Sequence, residues 1–211
     1  MNLLYLGLPS PLIGWLECHG INVTQSEDRI SNPAGFAFIV SYGYRHIIKR
    51  EVLDLFKDRA INLHISYLPW CRGADPNFWS FMEGTPCGTT IHYLDENMDT
   101  GDIIVQERVL MASNETFASS YRKLHESVQG MFKETWDQIA NGTCSRRPQP
   151  KGGSLHWSKD IEPLRHLLTS GWNTPLSDLE SYAFDLQMSI RERNRYVDEI
   201  NELLPRDEKE K

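Results

Sequence analysis

Apolar and polar positions along this chain fall into short continuous runs and spaced stripes, and each period predicts an element. Residues 2–7 form an apolar run ending in Gly-Leu-Pro-Ser-Pro, which suits a buried strand meeting a sharp turn, with a helix to follow through Ile13, Trp15 and Leu16. Residues 36–41 are a second run of strand length. Ile48, Val52 and Phe56 recur at helical spacing within 47–56, and 59–65 reads as another strand. Residues 89–94 and 103–110 are two further strand candidates joined by an acidic turn over 95–102. Over 114–140 the residues Phe117, Tyr121, Leu124, Val128, Phe132, Trp136 and Ile139 recur at threes and fours, the stripe of a long amphipathic helix with one packing face. Ser113 or Asn114 can cap its start, and Asn141-Gly142 closes it.

Beyond that helix, residues 144–153 interrupt every periodicity with two prolines and two glycines. They read as a linker between a main domain over 1–143 and a small, mostly helical extension over 154–211. The extension's pattern predicts a helix over 161–170 and a final helix over 177–204, with Arg191, Arg193 and Arg195 on a solvated face and a solvated tail over 206–211. Strands alternating with helices predict an α/β fold with a Rossmann-like core around a parallel or mixed sheet. The turn after the first strand lacks the G-x-G-x-x-G spacing that lets a backbone approach a pyrophosphate, which disfavours a dinucleotide cofactor.

Charge and cysteine usage narrow the function classes. The chain carries 22 Lys+Arg against 29 Asp+Glu, a formal net charge of −7, and such an acidic surface is not built for a long phosphate backbone. No nucleic-acid partner is therefore expected. Cys18, Cys71, Cys87 and Cys144 form no C-x-x-C pair, so no metal site or redox pair is signalled, and they read as reduced thiols of a cytoplasmic protein. The opening residues have no basic lead-in and too short an apolar run for a signal peptide or a membrane span. The aromatic-rich helical stripe could serve a homodimer interface, although core packing explains it equally well.

The candidate chemistry starts at Ile61-Asn62-Leu63-His64. A strand sets Asn62 and His64 on one face about 7 Å apart and turns Leu63 to the other. They lie where the apolar run gives way to Ser66-Tyr67-Leu68-Pro69, and open α/β sheets bind ligands at the carboxyl ends of their parallel strands. On spacing alone the commoner explanation is a satisfied core histidine beside a turn former.

The longer stretches point further. Asn-Leu-His-Ile-Ser-Tyr-Leu-Pro-Trp-Cys-Arg-Gly-Ala-Asp-Pro over 62–76, followed by Gly-Thr-Thr-Ile-His-Tyr-Leu-Asp-Glu-Asn-Met-Asp-Thr-Gly-Asp over 88–102, resembles the 10-formyltetrahydrofolate-dependent formyltransferases. That group's pattern is Asn-x-His-x-Ser-x-Leu-Pro, a nearby Arg-Gly, then Gly-x-Thr-x-His and Asp-x-Gly. The resemblance implies a formyltransferase catalytic domain over 1–143 and a catalytic set of Asn62, His64 and Asp99, with 10-formyltetrahydrofolate as formyl donor. The residue types suit that chemistry. When an amine attacks a formyl carbon, charge develops on the carbonyl oxygen and the nitrogen becomes acidic. Asn62 can donate to the oxyanion, His64 can receive or relay the proton, and Asp99 can orient His64 or stabilise a transient ammonium.

The resemblance also implies a pterin-facing surface at Tyr42, Gly43, Tyr44, Ile47 and Asp95. The run Trp70-Cys-Arg-Gly-Ala-Asp-Pro-Asn-Phe-Trp79 looks most like the sugar-nucleotide N-formyltransferases, which implies substrate contacts at Trp70, Arg72, Gly73, Asp75 and Asn77, and at Trp157 and Lys159 after the linker. The implied partner is a small-molecule amine on a nucleotide-linked sugar, of the 4-amino-4,6-dideoxy type. Glycinamide ribonucleotide as the amine, or a folate- or nucleotide-binding module without turnover, are the alternatives. The tRNA-modifying branch is discounted because the stretch after 153 is short and the chain is acidic.

Overall fold

A computed structural model of the chain describes residues 1–30 and 33–203, with 192–203 described as helical backbone only. The expected tail over 206–211 and the side chains of Arg193 and Arg195 lie outside the described residues. The elements that concern the site are β1 (Asn2–Leu6), α1 (Pro11–Cys18), β2 (Asn22–Ser26), β3 (Phe38–Tyr42), α2 (Arg50–Phe56), β4 (Ala60–His64), β5 (Arg72–Gly73), α3 (Pro76–Glu83), β6 (Gly88–Tyr93), β7 (Ile103–Arg108), α4 (Phe117–Ala140), β8 (Leu155–His156) and α5 (Glu180–Leu203).

Six strands form one mixed sheet in the order β2-β1-β3-β4-β6-β7. The first four are parallel, β6 runs antiparallel to β4, and β7 returns antiparallel to β6. β3, β4 and β6 are buried along their whole length, and β3 accordingly reads as a near-continuous apolar run. The core lies on both faces. One face seats Leu3, Tyr5, Phe38, Val40, Ile61, Leu63 and Ile91 against α1 and α4, and the other seats Leu4, Leu6, Ile39 and Ala60 against α2. β2 is an edge strand of mixed polar sequence, Asn-Val-Thr-Gln-Ser, paired only with β1 among the described residues. Its half-exposed position explains why its hydrophobic pattern is weak.

Local signals set several boundaries. Ser10 Oγ accepts from the Leu12 amide at 3.2 Å, and Pro11 opens α1, where its missing N–H costs nothing. α4 starts later than the 114–140 expectation. Thr116, not Ser113 or Asn114, caps it through a reciprocal box in which Thr116 Oγ1 accepts from Ser119 N at 3.1 Å and Ser119 Oγ accepts from Thr116 N at 2.9 Å. The expected helix over 161–170 is instead a 3-10 segment, Glu162–Leu167, followed by the extended residues Thr169–Trp172. Only Ile161 and Leu167 are buried there, too little to hold a longer helix. The last helix matches its expectation closely, with a 3-10 lead-in at Leu176–Leu179.

Residues 144–153 run beside the sheet. Arg147 and Ile103 exchange backbone hydrogen bonds of 2.7 and 3.0 Å. Beyond them, Ile161, Leu167, Leu176, Leu179 and Ala183 share a second core with Phe78, Trp79 and Met82 of α3 and with Phe117 of α4. α3 itself, capped at its end by left-handed Gly84, is an element that the apolar pattern does not announce.

Candidate active site

Strand alternation decides what faces the site. Ala60 lies under α2, so Asn62 and His64 extend that same face, while Ile61 and Leu63 turn toward α4. In the sheet register Ser41 stands beside Asn62 on one side and His92 on the other, and Thr90 stands opposite His64. Ser41, Asn62, His64, Thr90 and His92 are all buried, so the apolar face gives way to a polar one at the carboxyl ends of β3 and β4.

The turn after β6 brings Asp99 onto this face. Asp99 is left-handed (φ 53°), an unusual conformation for a non-glycine residue, and its side chain is 12% exposed. Asn62 Nδ2 donates to Asp99 Oδ1 at 3.0 Å and lies 3.3 Å from His92 Nε2. The Gly73 amide donates to Asp99 Oδ2 at 2.9 Å. His64 Nδ1 stands 3.7 Å from Asp99 Oδ2, and His92 Nε2 stands 3.4 Å from Asp99 Oδ1. Burial by itself would raise the Asp99 carboxyl, but His64, His92 and the Gly73 amide outweigh it and hold the group well below the usual carboxylate range.

Backbone carbonyls assign the tautomers, because a carbonyl can only accept. His64 Nε2–H donates to the Cys71 carbonyl at 3.1 Å, which leaves Nδ1 facing the Asp99 carboxylate. His92 Nδ1–H donates to the Tyr93 carbonyl at 2.8 Å, which leaves Nε2 between Asn62 Nδ2 at 3.3 Å and Asp99 Oδ1 at 3.4 Å. His64 Nδ1 and Asp99 Oδ2 thus face one another at 3.7 Å, a separation beyond a hydrogen bond. A proton arriving at Nδ1 would gain a carboxylate partner at once.

The Cys71–Asp75 stretch supplies two of these contacts from its backbone. Cys71 (φ 54°), Gly73 (φ 84°) and Asp75 (φ 50°) are all left-handed, which turns the Cys71 carbonyl and the Gly73 amide toward the cluster. A Cβ at Gly73 would lie 2.3 Å from the His156 carbonyl, so only glycine fits. Burial pushes the Cys71 thiol up to about 11, and no thiolate nucleophile is available there.

The other residues selected from the sequence are placed unevenly. The Tyr42 side chain points away from Asn62, into the α4 core, where it bonds His125 and Gln129. Gly43 is left-handed with open space where a Cβ would be, whereas Tyr44 and Ile47 line a surface cavity with Arg29, Ile30, Ile48 and Lys49. Asp95 closes its own turn by accepting from Thr100 Oγ1 at 2.7 Å and the Asn97 amide at 3.2 Å. Asn77 commits both ends of its amide to α4, donating to the Phe117 carbonyl and accepting from Ser120 Oγ. The side chains of Tyr42, Asp95 and Asn77 are thus engaged within the protein.

Trp70 is 38% exposed, Arg72 and Gly73 form β5, and Asp75 precedes α3 with no side-chain capping bond. Burial, with opposing effects from Arg165 and Glu162, raises the Asp75 carboxyl. Trp157 and Lys159 are exposed beyond β8. Two residues of the cluster were not singled out from sequence. His92 is the histidine of the Gly-x-Thr-x-His stretch, and its spacing two residues past Thr90 puts it on the Asn62 face. Gln149 Nε2 donates to the Asp99 and Gly101 carbonyls at 2.8 Å each, from a stretch that gives no periodic signal at all. Among the described residues no group of three or more His, Cys, Asp or Glu could hold a metal ion, and no helix is long and apolar enough to cross a membrane.

Comparison with known proteins adds a second line. Residues 25–135 match the family described as formyl transferase. The chain is 45% identical to the formyltransferase PseJ from Anoxybacillus kamchatkensis, whose crystal structure is a complex with UDP-4,6-dideoxy-4-formamido-L-AltNAc and tetrahydrofolate. That match covers 87% of this chain and 100% of PseJ, with a TM-score of 0.83. A 4-N formyltransferase from Francisella tularensis is 20% identical over 78% of this chain and 79% of that one, at a TM-score of 0.71, a likeness of fold. Methionyl-tRNA formyltransferase of Agathobacter rectalis is 32% identical over 171 residues, 77% of this chain. The chain spans about half of that relative's length, 54%.

Proposed function

Since this chain belongs to the formyl transferase family, we propose that it transfers the formyl group of 10-formyltetrahydrofolate to the amino group of a nucleotide-linked amino-deoxysugar of the 4-amino-4,6-dideoxy type. The observation that carries the reading is the buried contact of Asn62, His64 and Asp99 in a chain 45% identical to PseJ along that protein's whole length.

The donor set fits a formyl group: one amide N–H, one imidazole whose Nδ1 is not taken by a backbone group, and one carboxylate, all on a largely buried face. When bound, the formyl donor supplies an electrophilic carbonyl carbon. Asn62 Nδ2 is the neutral donor available to the carbonyl oxygen, and meeting it requires exchange of the bond now made to Asp99 or His92. His64 Nδ1 is the acceptor for the amine proton, because its other nitrogen is tied to the Cys71 carbonyl. The Asp99 carboxylate then faces either the imidazolium or the substrate ammonium. Gly43 and Tyr44 on the one side, and Trp70, Arg72, Trp157 and Lys159 on the other, are the proposed neighbours of the pterin and of the sugar nucleotide respectively.

The test is a folate-release assay with a UDP-linked 4-amino-4,6-dideoxysugar, run with and without the amine. Tetrahydrofolate should appear in step with a formamido sugar, and only when amine is present. Formate release without amine would instead identify a hydrolase, and turnover with glycinamide ribonucleotide but with no sugar nucleotide would identify the other acceptor class.

A further inference from the structure

His64 and Asp99 are held by backbone groups of Cys71 and Gly73, so whatever fixes that backbone fixes the site. The segment is locked to residues 153–156 by a parallel strand pair, β5 with β8. The Arg72 amide donates to the Ser154 carbonyl at 3.0 Å and the Ala74 amide to the His156 carbonyl at 2.8 Å. The two chains touch closely: a Cβ at Gly153 would lie 2.0 Å from the Pro69 carbonyl. Two residues per strand are too few to hold register unaided.

A buried polar group at the end of α3 supplies the missing hold. Glu83 accepts from Ser154 Oγ at 2.6 Å and from His156 Nε2–H at 3.0 Å, with the side chains of Glu83 and His156 each 13% exposed. Ser154 Oγ in turn accepts from the Cys71 amide at 3.0 Å, and the Cys71 thiol lies 3.7 Å from the Glu83 carboxylate. Trp79, one turn earlier on α3, stacks flat on His156 with ring centroids 3.9 Å apart and planes within 6°. Burial opposes ionisation of Glu83, but the donors His156 and Ser154 prevail and its carboxyl lies below the ordinary value. A carboxylate desolvated to this degree needs its partners, and those partners sit on β8 and on the loop entering β5.

We infer that Glu83, Ser154 and His156 form a positioning clamp that sets the Cys71 carbonyl and Gly73 amide, and through them the His64 tautomer and the Asp99 rotamer. The clamp also ties the reacting cluster to the segment carrying Trp157 and Lys159, the proposed sugar-nucleotide neighbours. None of the three clamp residues faces Asn62 or His64, so they are positioning residues and not catalytic ones. The kinetic part of the test rests on the formyl-transfer reading; the spectroscopic part does not.

The experiment uses the full chain with Glu83→Ala, Glu83→Gln and His156→Phe, the last retaining a ring to stack on Trp79 while deleting the N–H. Two quantities are read: kcat against KM for formyl transfer, and the His64 Nε2–H resonance in 15N-labelled protein, identified by its loss in His64→Asn. Displacement of groups remote from the reacting atoms can cost up to about a hundredfold in rate. Glu83→Ala and His156→Phe should lower kcat at least about tenfold while the His64 resonance shifts or exchanges away. Glu83→Gln, which retains one acceptor, should fall between these and the parent. Should Glu83→Ala fail to fold, the other two variants decide. Folded variants with kcat within about twofold of the parent and an unmoved His64 resonance overturn the clamp. If the parent formylates no amine, the functional reading falls, and the resonance alone decides whether the clamp holds His64.

Discussion

Two histidines occupy opposite faces of the same sheet and differ in one respect that decides what each can do. His64 extends the α2 face from β4, gives its Nε2–H to a backbone carbonyl, and turns its Nδ1 to the Asp99 carboxylate. His125 projects from α4 on the other face, where its Nδ1 meets the Tyr42 hydroxyl and its Nε2 has no hydrogen-bond partner among the described residues. Burial raises the Tyr42 phenol above its ordinary range, so its O–H donates and His125 stays neutral, pushed down by desolvation to about 4. Both are imidazoles beside a polar group, His64 buried and His125 partly so. Only the first has an anion placed to receive the charge that proton transfer creates, and this separates an imidazole equipped for chemistry from one that packs.

The largest effect expected from breaking this comparison is at His64. His64→Asn retains size and some hydrogen bonding but removes the titratable nitrogen, so turnover should fall roughly 10²–10⁴-fold with folding and folate binding kept. His125→Gln should leave turnover within a few-fold. Adding Asp99→Asn to His64→Asn should make it little worse than the poorer single variant, because the two act as one unit. A His64→Asn protein that folds and transfers formyl within a few-fold of the parent rate would make both histidines structural and dissolve the distinction.

Next is Asn62→Ala, which deletes the amide shared among Asp99, His92 and an incoming oxygen. Loss of a principal oxyanion donor costs about 10²–10³-fold in kcat. Steady-state kinetics showing a raised KM at unchanged kcat would instead assign Asn62 to ground-state binding.

Acid titration of stability sharpens the comparison at smaller scale. The folded-state value of His125 lies below the unfolded one, so the unfolded chain binds the proton more readily, and this contribution to stability is present above about pH 6.5 and lost as pH falls toward 4. His125→Gln should therefore lose less of its urea midpoint than the parent over that window. Asp99, held below the carboxylate range, contributes stability above about pH 3.9 that disappears at lower pH, so Asp99→Asn should flatten the curve only there. Parallel curves for parent and His125→Gln between pH 6.5 and 4 would contradict the assignment of a neutral, partly buried imidazole.

The smallest expected effect is none: chelator-treated enzyme should keep its rate, since the site offers proton-transfer and hydrogen-bonding groups in place of zinc-ligand spacing. Activity lost to EDTA and restored by one equivalent of a metal would require a different chemistry at His64.

Much of this arrangement was legible along the chain because it is local. Continuous apolar runs predict β1 and β3, strand-length segments predict β4, β6 and β7, the threes-and-fours stripe predicts α4, and alternation alone puts Asn62 and His64 on one face. The motif pair over 62–76 and 88–102 singled out Asp99 as well, although it lies in a turn with no periodicity. What the chain could not reveal depends on partners distant in sequence. His92 joins the cluster only because β6 pairs antiparallel with β4 in the register that sets it opposite Asn62. Tyr42 turns to α4 and not to the site because β3 ends with that side chain on the Leu63 face. Gln149, Ser154 and His156 lie on irregular or two-residue segments, and their hydrogen bonds go to residues distant in sequence on the turn after β6 and at the end of α3. Residue type and spacing determine which groups share a strand face, because the backbone period is fixed by covalent geometry. Which lone pair meets which proton is decided by chains brought together across 26 to 83 residues of sequence, and only the tertiary structure makes that choice.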